Sequence, residues 1–221
     1  MKLQFCFLAA LFMGTNAMAV EEPKFETVIQ EAKFEVRQYG AFIVAETWVD
    51  GDMDAASGKG FRRIADYIFG NNTASQHAAS EKIAMTAPVT MQPQIQSGML
   101  AMTAPVAIEP ASDAFGLIGA QRWRVHFVMP SQYSMATLPT PNNDAVALRE
   151  VPARRIAVAK YSGLNTEGRI QQETEALAVW MQMRHLKAAG TAQLARYDPP
   201  WILPIWRRNE IHIAIDEAPA R

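Results

Sequence analysis

EKIAMTAPVTM, residues Glu81 to Met91, is followed by a near-copy of itself, MLAMTAPVAIE, residues Met99 to Glu109. In the seven-residue units that begin at Ile83 and at Leu100, six of the seven residues are identical. Each copy is apolar, contains a threonine and a valine suited to strands, and carries one proline. Because proline cannot donate to a β-ladder, each segment belongs at a sheet edge or a bulge. The copies therefore predict two short strands, each interrupted at its proline and joined by the polar linker Gln92–Gly98.

The first nineteen residues are predicted to be a leader that is not part of the fold. Lys2 gives a positive start, Leu3–Phe12 is apolar but too short to span a membrane, and Ala17–Ala19 is a small-x-small cleavage signal. We expect a bacterial-type signal peptide, residues 1–19, cut after Ala19, and hence an exported, periplasmic protein. A retained N-terminal anchor is the alternative.

The remaining chain, residues 20–221, is predicted to be a single domain, because its length lies below about 250 residues. Removing the leader removes Cys6, the only cysteine, which excludes disulfides, Cys-ligated zinc, iron–sulfur clusters and thiolate-ligated heme. It also lowers the formal net charge from −1 to −2, through the loss of Lys2. Charges of both signs are scattered, so we expect no nucleic-acid partner. We also expect no membrane span in the mature chain, and the oligomeric state is left open.

The first half of this domain is predicted to contain strands followed by a helix. Phe25–Tyr39 alternates as a strand pair broken near Glu31, and Phe42–Val49 continues as a strand. After the N-cap candidate at Asp50–Asp52, apolar residues at helical spacing mark one face of a helix that Gly70 ends. Those apolar residues are Phe61, Ile64, Ala65 and Ile68, and two interior glycines, Gly58 and Gly60, fit the close approach of either a flat ligand or a neighbouring sheet.

The second half repeats the pattern. Trp123–Met129 alternates as a strand, and a strand pair, Val146–Val151 and Arg154–Tyr161, precedes a long helix from about Thr166 to Ala188, capped by Gly190. The chain ends in strands at Leu194–Tyr197 and Ile211–Ile215. Strand, turn, strand, helix and strand pair thus occur twice, from Phe34 and from Val146. The predicted class is α+β.

No catalytic constellation is present: the sequence has no G-x-S-x-G, no H-E-x-x-H and no phosphate-binding glycine-rich loop. The stretch most like a binding site is the loop Asp198–Arg208, DPPWILPIWRR. A loop this apolar is costly in water, so it packs on something. Either it folds onto its own sheet, or it is a stiff apolar lid with Arg207 and Arg208 at its rim, where their planar forks suit carboxylates.

Several ordered motifs resemble the SOUL / heme-binding protein family. KIAMTAPV after a helix ending in Gly-Asn-Asn looks like its signature, and the doubled version resembles its bacterial members. The resemblance runs from about Pro23 to Ile215 and rests on the following further stretches: Phe34–Gly40, Gly60–Phe61 leading into Ala65–Ile68, Met129–Ser131, Tyr197–Pro200 and Arg208–Ile211. It implies a distorted antiparallel β-barrel of two pseudo-twofold-related strand/helix repeats, flanked by two α-helices.

The resemblance also implies a tetrapyrrole cofactor, heme or another porphyrin, held between the first helix and the loop at 198–209. The apolar walls would face the ring, and arginines would meet its two propionates. For Arg62, an ordinary solvated charge is the alternative. The residues that the resemblance assigns to this site are Phe61, Arg62, Ile64 and Ala65 on the helix, and Trp201, Ile202, Leu203, Trp206 and Arg207 on the loop.

The axial ligand of a heme iron is less defined. Some relatives have a histidine proposed as a ligand just before the tyrosine of the first motif, but that position is Gln38 here. His77 is the best-placed substitute, with an ordinary surface-loop histidine as the alternative. His185 is predicted at a helix end, and His126 and His212, which alternate away from apolar neighbours, are predicted at the surface. The twelve methionines are expected to pack the core, with thioether ligation as the alternative.

Three functions are compatible with these features. The first is a periplasmic, non-enzymatic carrier or buffer for heme or a related tetrapyrrole. The second is an effector-type binding module for another amphipathic small molecule, since the family's fold resembles effector-binding domains of bacterial regulators. The third is an enzyme that modifies tetrapyrroles, although no residue pattern demands it.

Overall fold

The computed structural model describes residues 20–75, 79–94, 117 and 119–216. The predicted signal peptide, the second MTAPV copy and His77 lie outside these residues.

The described chain contains strands and two α-helices in an order close to that predicted. The elements are β1 (Phe25–Glu31), β2 (Phe34–Tyr39), β3 (Phe42–Asp50), α1 (Met53–Ile68), β4 (Asn72–Thr73), β5 (Val89–Pro93), β6 (Arg122–Val128), β7 (Thr140–Pro141), β8 (Ala147–Val151), β9 (Arg154–Tyr161), α2 (Glu167–Met183), β10 (Ala188–Arg196) and β11 (Asn209–Ile215). One turn of 3-10 helix, Pro204–Trp206, precedes β11.

Nine of the strands form an antiparallel sheet in the order β1-β2-β9-β11-β10-β5-β6-β3-β8, and β4 pairs with β7 separately. From β2 to β8 this order is palindromic: β2, β3, α1, β5 and β6 correspond to β8, β9, α2, β10 and β11. The α+β class and the repeated pattern are thereby confirmed at the level of topology. The terminal strands β1 and β8 do not pair with each other in the described chain, so the hydrogen bonding leaves the sheet open and does not close the expected barrel.

The main core lies between one face of the sheet and the two helices. Helix α1 packs on β3 and β6, and α2 packs on β9 and β11, in keeping with the palindrome. The strands present alternate apolar residues to this face, as half-buried strands do. Fully buried members of this core include Ala45, Ile64, Val125, Phe127, Leu177 and Ile213.

The opposite face of the sheet is also largely covered, because the sheet curls over it. Phe42 on β3 packs against Tyr39, Ile156 and Val158, which come from β2 and β9. It also packs against a second small cluster on its own side of the sheet. The two ends of the sheet therefore approach each other across this face, and some of its polar residues, such as Arg37 and Glu210, are fully buried.

Both helices begin where the sequence predicts, and α2 ends earlier. Asp52 caps α1, its Oδ1 accepting from the Ala55 amide at 2.8 Å, and Thr166 caps α2 in the same way. Extension of the second helix to Ala188 was wrong. His185 adopts a positive φ of 55°, and the Leu186 amide donates to the Met181 carbonyl at 2.9 Å, which closes the helix.

The first MTAPV copy forms its strand only after the proline. β5 begins at Val89, directly following Pro88, and lies inside the sheet between β6 and β10. The expectation of an edge or a bulge was therefore wrong. Pro88 stands just before the strand, where its missing N–H does not interrupt the hydrogen bonds of the sheet. Upstream of it, Thr86 forms a parallel bridge with Glu21.

Of the two glycines in α1, Gly60 is required by close contact with the sheet. A Cβ at Gly60 would lie 2.5 Å from Cγ2 and 2.6 Å from Cβ of Val125 on β6. A Cβ at Gly58 would meet only the flexible tip of Arg62, at 3.4 Å. Tight helix–sheet packing therefore explains Gly60 without a ligand.

We expect Gly60→Ala to lower the free energy of unfolding by about 1–3 kcal/mol, because the added methyl overpacks the α1–β6 contact. The matched control is Gly58→Ala, which should be neutral or stabilise the protein by up to about 1 kcal/mol through helix propensity. Urea unfolding followed by circular dichroism measures both. Equal effects of the two substitutions would contradict the assignment of the close contact to Gly60.

Candidate ligand-binding site

The loop between β10 and β11, residues 197–208, is tied down at its base. The Tyr197 amide donates to the Arg208 carbonyl at 3.2 Å, and the Arg208 amide donates to Asp198 Oδ2 at 2.7 Å. Midway along the loop, the Pro204 carbonyl accepts from the Gly163 amide at 2.9 Å. These bonds, with the 3-10 turn, give the loop a defined shape.

The apolar side chains of this loop project into solvent. Trp201 is 79% exposed and Trp206 70% exposed, and Leu203 and Ile205 are also exposed. We call these four residues the apolar tip. The sequence left two interpretations: a loop packed on its own sheet, or an exposed apolar lid. The four side chains of the apolar tip do not pack on the sheet, whereas Ile202 is half-buried. An exposed aromatic group of this size on a tied loop is typical of an interaction site.

Arg207 points back into the loop and does not extend from its rim. Its Nε donates to the Ile202 carbonyl at 2.7 Å, and its Nη2 donates to the Pro200 carbonyl. The guanidinium thus satisfies two carbonyls of its own loop. Arg208, the other predicted rim cation, pairs with Glu22 at 3.0 Å and with Glu210 at 2.9 Å. Both arginines therefore stabilise the loop and its base.

Helix α1 adjoins the base of this loop. Arg196, the last residue of β10, donates to Ser57 Oγ at 3.1 Å and lies 3.8 Å from Asp54. Two of the predicted helix residues are accessible: Phe61 is 39% exposed, with its ring 5.5 Å from that of Phe127, and Arg62 is exposed.

Two other predicted helix residues lie beneath α1. Ile64 is completely buried and Ala65 is 7% exposed, so both support the helix against the sheet and offer no open surface. Of the predicted residues, Phe61 and Arg62 on α1 and Trp201, Leu203 and Trp206 on the loop are thus exposed.

A groove of about 520 Å³ is lined by a different set of residues. It is bordered by the N-terminal segment 21–24, the β2–β3 turn and the segment 128–135, with Phe42, Met129 and Tyr133 among its walls. None of the residues predicted for a tetrapyrrole lines it. The apolar tip, by contrast, is a projecting surface and not a cavity.

A buried ionic network on the curled face was not predicted from the sequence. Arg37 is fully buried; its Nη1 and Nη2 donate to Glu210 at 2.8 and 2.9 Å, and its Nε donates to Glu35 at 2.7 Å. Glu210 also accepts from Tyr197 at 2.8 Å and from His212 at 2.7 Å. The sequence feature that could have indicated the network is polar residues at alternate positions of two strands: Glu35 and Arg37 in FEVRQY, and Glu210 and His212 in NEIHIAI.

Electrostatics keep this network ionised at its centre. Burial opposes ionisation of Glu210, but the hydrogen bonds from His212 and Arg37 hold its pKa far below the usual value. Burial lowers the pKa of His212 despite the neighbouring carboxylate, so the neutral imidazole donates from Nε2. Burial lowers the pKa of Arg37, but the hydrogen bonds to Glu210 and its negative charge outweigh burial, so the pKa of Arg37 is raised. Arg37 and Glu210 are therefore both charged at neutral pH and form a buried ion pair.

The histidine predictions are partly wrong. His126 and His212 are buried, 4% and 6% exposed, because the curled face on which they lie is covered. His185 is exposed just beyond the end of α2, as predicted. Within the described ranges, no three histidine, cysteine or acidic side chains come together as a metal site. Nor is any helix in those ranges long and apolar enough to cross a bilayer.

Comparison with solved structures identifies the same fold in distant proteins. The C-terminal domain of EcmrR superposes with a TM-score of 0.56 at 10% identity, covering 84% of this chain and 98% of that one. A hydrolase from Listeria innocua superposes with a TM-score of 0.51 at 11% identity, covering 86% and 94%. At these identities the likeness is one of fold alone.

Sequence comparison is more specific. No curated protein sequence matches the chain. The family model of the SOUL heme-binding protein matches residues 20–214, nearly the whole chain. The chain therefore belongs to the SOUL heme-binding protein family.

Proposed function

We propose that this protein binds heme or a related tetrapyrrole against the apolar tip and the exposed side of α1, as a carrier or buffer and not as an enzyme. The observation that carries the proposal is the exposure of Trp201 and Trp206 on a loop fixed by hydrogen bonds, in a chain of a heme-binding family. We further propose that the mature protein, residues 20–221, acts in the periplasm.

The chemistry of the surface suits a flat amphipathic ligand. A porphyrin ring stacked on the two indoles would remove apolar area from water on both partners, and each aromatic side chain contributes on the order of 150–250 Å². Because the loop is already ordered, little conformational entropy is lost on binding. Such a site supplies the ring with walls and needs no bond to its metal.

The cation that meets a propionate is better assigned to Arg62 than to Arg207. The Arg207 fork is occupied by two loop carbonyls, whereas Arg62 is exposed and has no hydrogen bond to another described residue. A guanidinium can grip a carboxylate with two parallel hydrogen bonds. His77 remains the proposed iron ligand, as a secondary feature of the site.

The test is titration of residues 20–221 with hemin and with protoporphyrin IX, followed by the Soret band and by tryptophan quenching. We expect both to bind at one-to-one stoichiometry. The double substitution Trp201→Ala/Trp206→Ala should weaken both at least tenfold, about 1.4 kcal/mol. Its thermal stability should change little, because both side chains are exposed.

Trp48→Ala is the matched control, since Trp48 is a part-exposed tryptophan on β3 whose ring lies beneath Arg122 and Arg124. Its removal should leave both affinities unchanged. Unchanged affinities in the double variant would contradict binding at the apolar tip. Binding of hemin alone would shift the proposal to iron ligation by His77 or a methionine.

A second candidate function is binding of a different amphipathic small molecule in the groove beside Phe42 and Met129. The size of that groove, about 520 Å³, is in the range of small-molecule sites. A thermal-shift screen separates the two candidates, because such a ligand should stabilise the protein more than hemin does and should be indifferent to Trp201→Ala/Trp206→Ala.

A further inference from the structure

Three arginines gather near one buried histidine on the curled face of the sheet. They are Arg124 on β6, Arg149 on β8 and Arg154 at the start of β9, and all three are close enough to His126 on β6 to act on its charge. We call the three the arginine cluster. Arg124 and His126 alternate with Trp123, Val125 and Phe127, which face α1, so they are on the side of the sheet away from the helices. Arg154 has the same parity on β9 as Ile156 and Val158 of that side, and Arg149 pairs with Glu46, which alternates with the core residue Ala45.

The cluster has more positive than negative charge. Its carboxylate partner is Glu46, which accepts from Arg149 Nε at 2.9 Å and Nη2 at 2.8 Å and lies 3.8 Å from Arg124. Arg124 also donates to the amide oxygen of Gln92. Arg154 has no carboxylate partner among the described residues, and its guanidinium lies 5.8 Å from the centre of the Phe42 ring. Arg124 and Arg149 therefore share one carboxylate, and Arg154 adds a third positive charge with no carboxylate partner in the described chain.

Parts of these side chains are buried without a hydrogen bond. The Nε atoms of Arg124 and Arg154 and Nδ1 of His126 have no partner in the described part of the chain. Burial, together with the neighbouring arginines, lowers the pKa values of His126 and of Arg154. Buried donors and crowded cations of this kind are costly and call for an explanation.

The cluster is partly accessible to solvent. The side chains of Arg124 and Arg149 are 23% and 37% exposed, whereas Glu46 is 11% exposed and His126 lies deeper. A small ligand would thus meet two part-exposed guanidiniums first and a buried imidazole behind them. This graded arrangement resembles a site more than an ordinary solvated surface charge.

We propose that the arginine cluster and His126 bind an oxyanion, the carboxylate or phosphate group of a small molecule. Guanidinium forks and a neutral imidazole Nδ1–H are donors that oxyanions accept. An anion would supply the missing negative charge between Arg124, Arg149 and Arg154. The site shares no residue with the apolar tip or with the exposed side of α1.

The test is thermal unfolding of the mature chain in inorganic phosphate, in succinate and in chloride, all at one ionic strength. At concentrations well above the dissociation constant we expect phosphate or succinate, relative to chloride, to raise Tm by at least about 4 °C. A response to phosphate alone identifies a phosphate ligand, and a response to succinate alone identifies a carboxylate ligand. The absence of both responses overturns the proposal.

Arg154→Met is the informative variant. It should abolish the anion-dependent rise in Tm, and in chloride it should melt at the same temperature as the native protein or higher, because it removes an unpaired cation. Arg122→Met, which replaces an exposed arginine at the start of β6, should retain the full response. An undiminished response in Arg154→Met overturns the site. Should that variant fail to fold, Arg149→Met serves the same comparison.

Two further readouts separate this site from the proposed tetrapyrrole site. The imidazole NMR signals of His126 should shift on addition of phosphate or succinate, and those of the exposed His185 should not. Hemin affinity should be unchanged in Arg154→Met. Because the two sites share no residue, a failure of hemin to bind the native protein would count against the tetrapyrrole site and not against the anion site.

Discussion

Replacing Arg37 with methionine should lower the free energy of unfolding by about 3–5 kcal/mol, the cost typical of breaking a buried ion pair from one side. Arg37 is fully buried and donates through three nitrogens, two of them to Glu210 and one to Glu35. Methionine fills similar volume but donates nothing. The variant therefore leaves buried carboxylate oxygens short of their strongest partner.

The neighbours of Arg37 reduce this loss of unfolding free energy but do not cancel it. Glu210 retains hydrogen bonds from Arg208 and Tyr197, and Glu35 retains one from Lys160. Arg208 and Lys160 are part-exposed, so solvent screens them more than it screens Arg37. The central guanidinium also lies 4.3 Å from the Phe25 ring, a contact that anchors β1 to the network.

Urea denaturation measures the effect, with Arg122→Met as the control. Arg122 is 52% exposed and only 3.6 Å from an exposed Asp50, so its loss should change stability by no more than about 0.5 kcal/mol. The double substitution Arg37→Met/Glu210→Leu should recover part of the loss, because it removes the orphaned charge as well. A loss below about 1 kcal/mol in Arg37→Met would show that the network is dispensable.

The local features of this fold were predictable because they depend on neighbours in sequence. Alternation of apolar residues identifies β6 and β9, and Asp52 and Thr166 identify the starts of the helices. The palindromic sheet was implied by the repeated order of elements, although nothing in the sequence decides whether its two ends pair. The early end of α2 was missed because the residue that ends it with a positive φ is His185, and not the glycine that usually marks such a position.

Of the candidate site, only the exposed loop residues could be predicted from the sequence. The composition of the loop 198–208 indicates an apolar surface, and the structure places its indoles in solvent. Tertiary packing decides the rest. It determines the direction in which the Arg207 side chain points, and it turns Ile64 and Ala65 toward the sheet. The Arg37–Glu210 pair joins residues 173 positions apart, and sequence alternation alone cannot tell that the second face of a sheet is covered. For the same reason His126 and His212 were assigned to the surface.

Burial of these two histidines makes the stability depend on pH. Burial lowers the pKa of His126 well below its usual value, assisted by Arg124, Arg154, Arg149 and His212. Burial also lowers the pKa of His212, where hydrogen bonding to Glu210 opposes the shift and Arg37 and Arg154 add to it. The unfolded chain, with an ordinary pKa of about 6.5, therefore binds more protons than the folded chain as the pH falls below neutrality.

We expect the free energy of unfolding to fall between pH 7.5 and pH 5.5. Each histidine that stays neutral in the folded state contributes a loss of about 1.4 kcal/mol over this interval, so His126 and His212 together contribute up to about 2.7 kcal/mol. The stabilisation is fully present above the unfolded pKa and is lost as the pH falls toward the folded values. Carboxylates with lowered pKa values, such as Glu35, act mainly below this interval.

The measurement is urea denaturation at several pH values in the native protein and in His126→Gln. That substitution should remove about 1.4 kcal/mol of the fall between pH 7.5 and pH 5.5, because glutamine does not titrate. His185→Gln is the matched control, since His185 is exposed beyond the end of α2, and it should leave the pH profile unchanged. A profile in His126→Gln as steep as that of the native protein would mean that His126 is protonated within the fold, with the arginine cluster already neutralised.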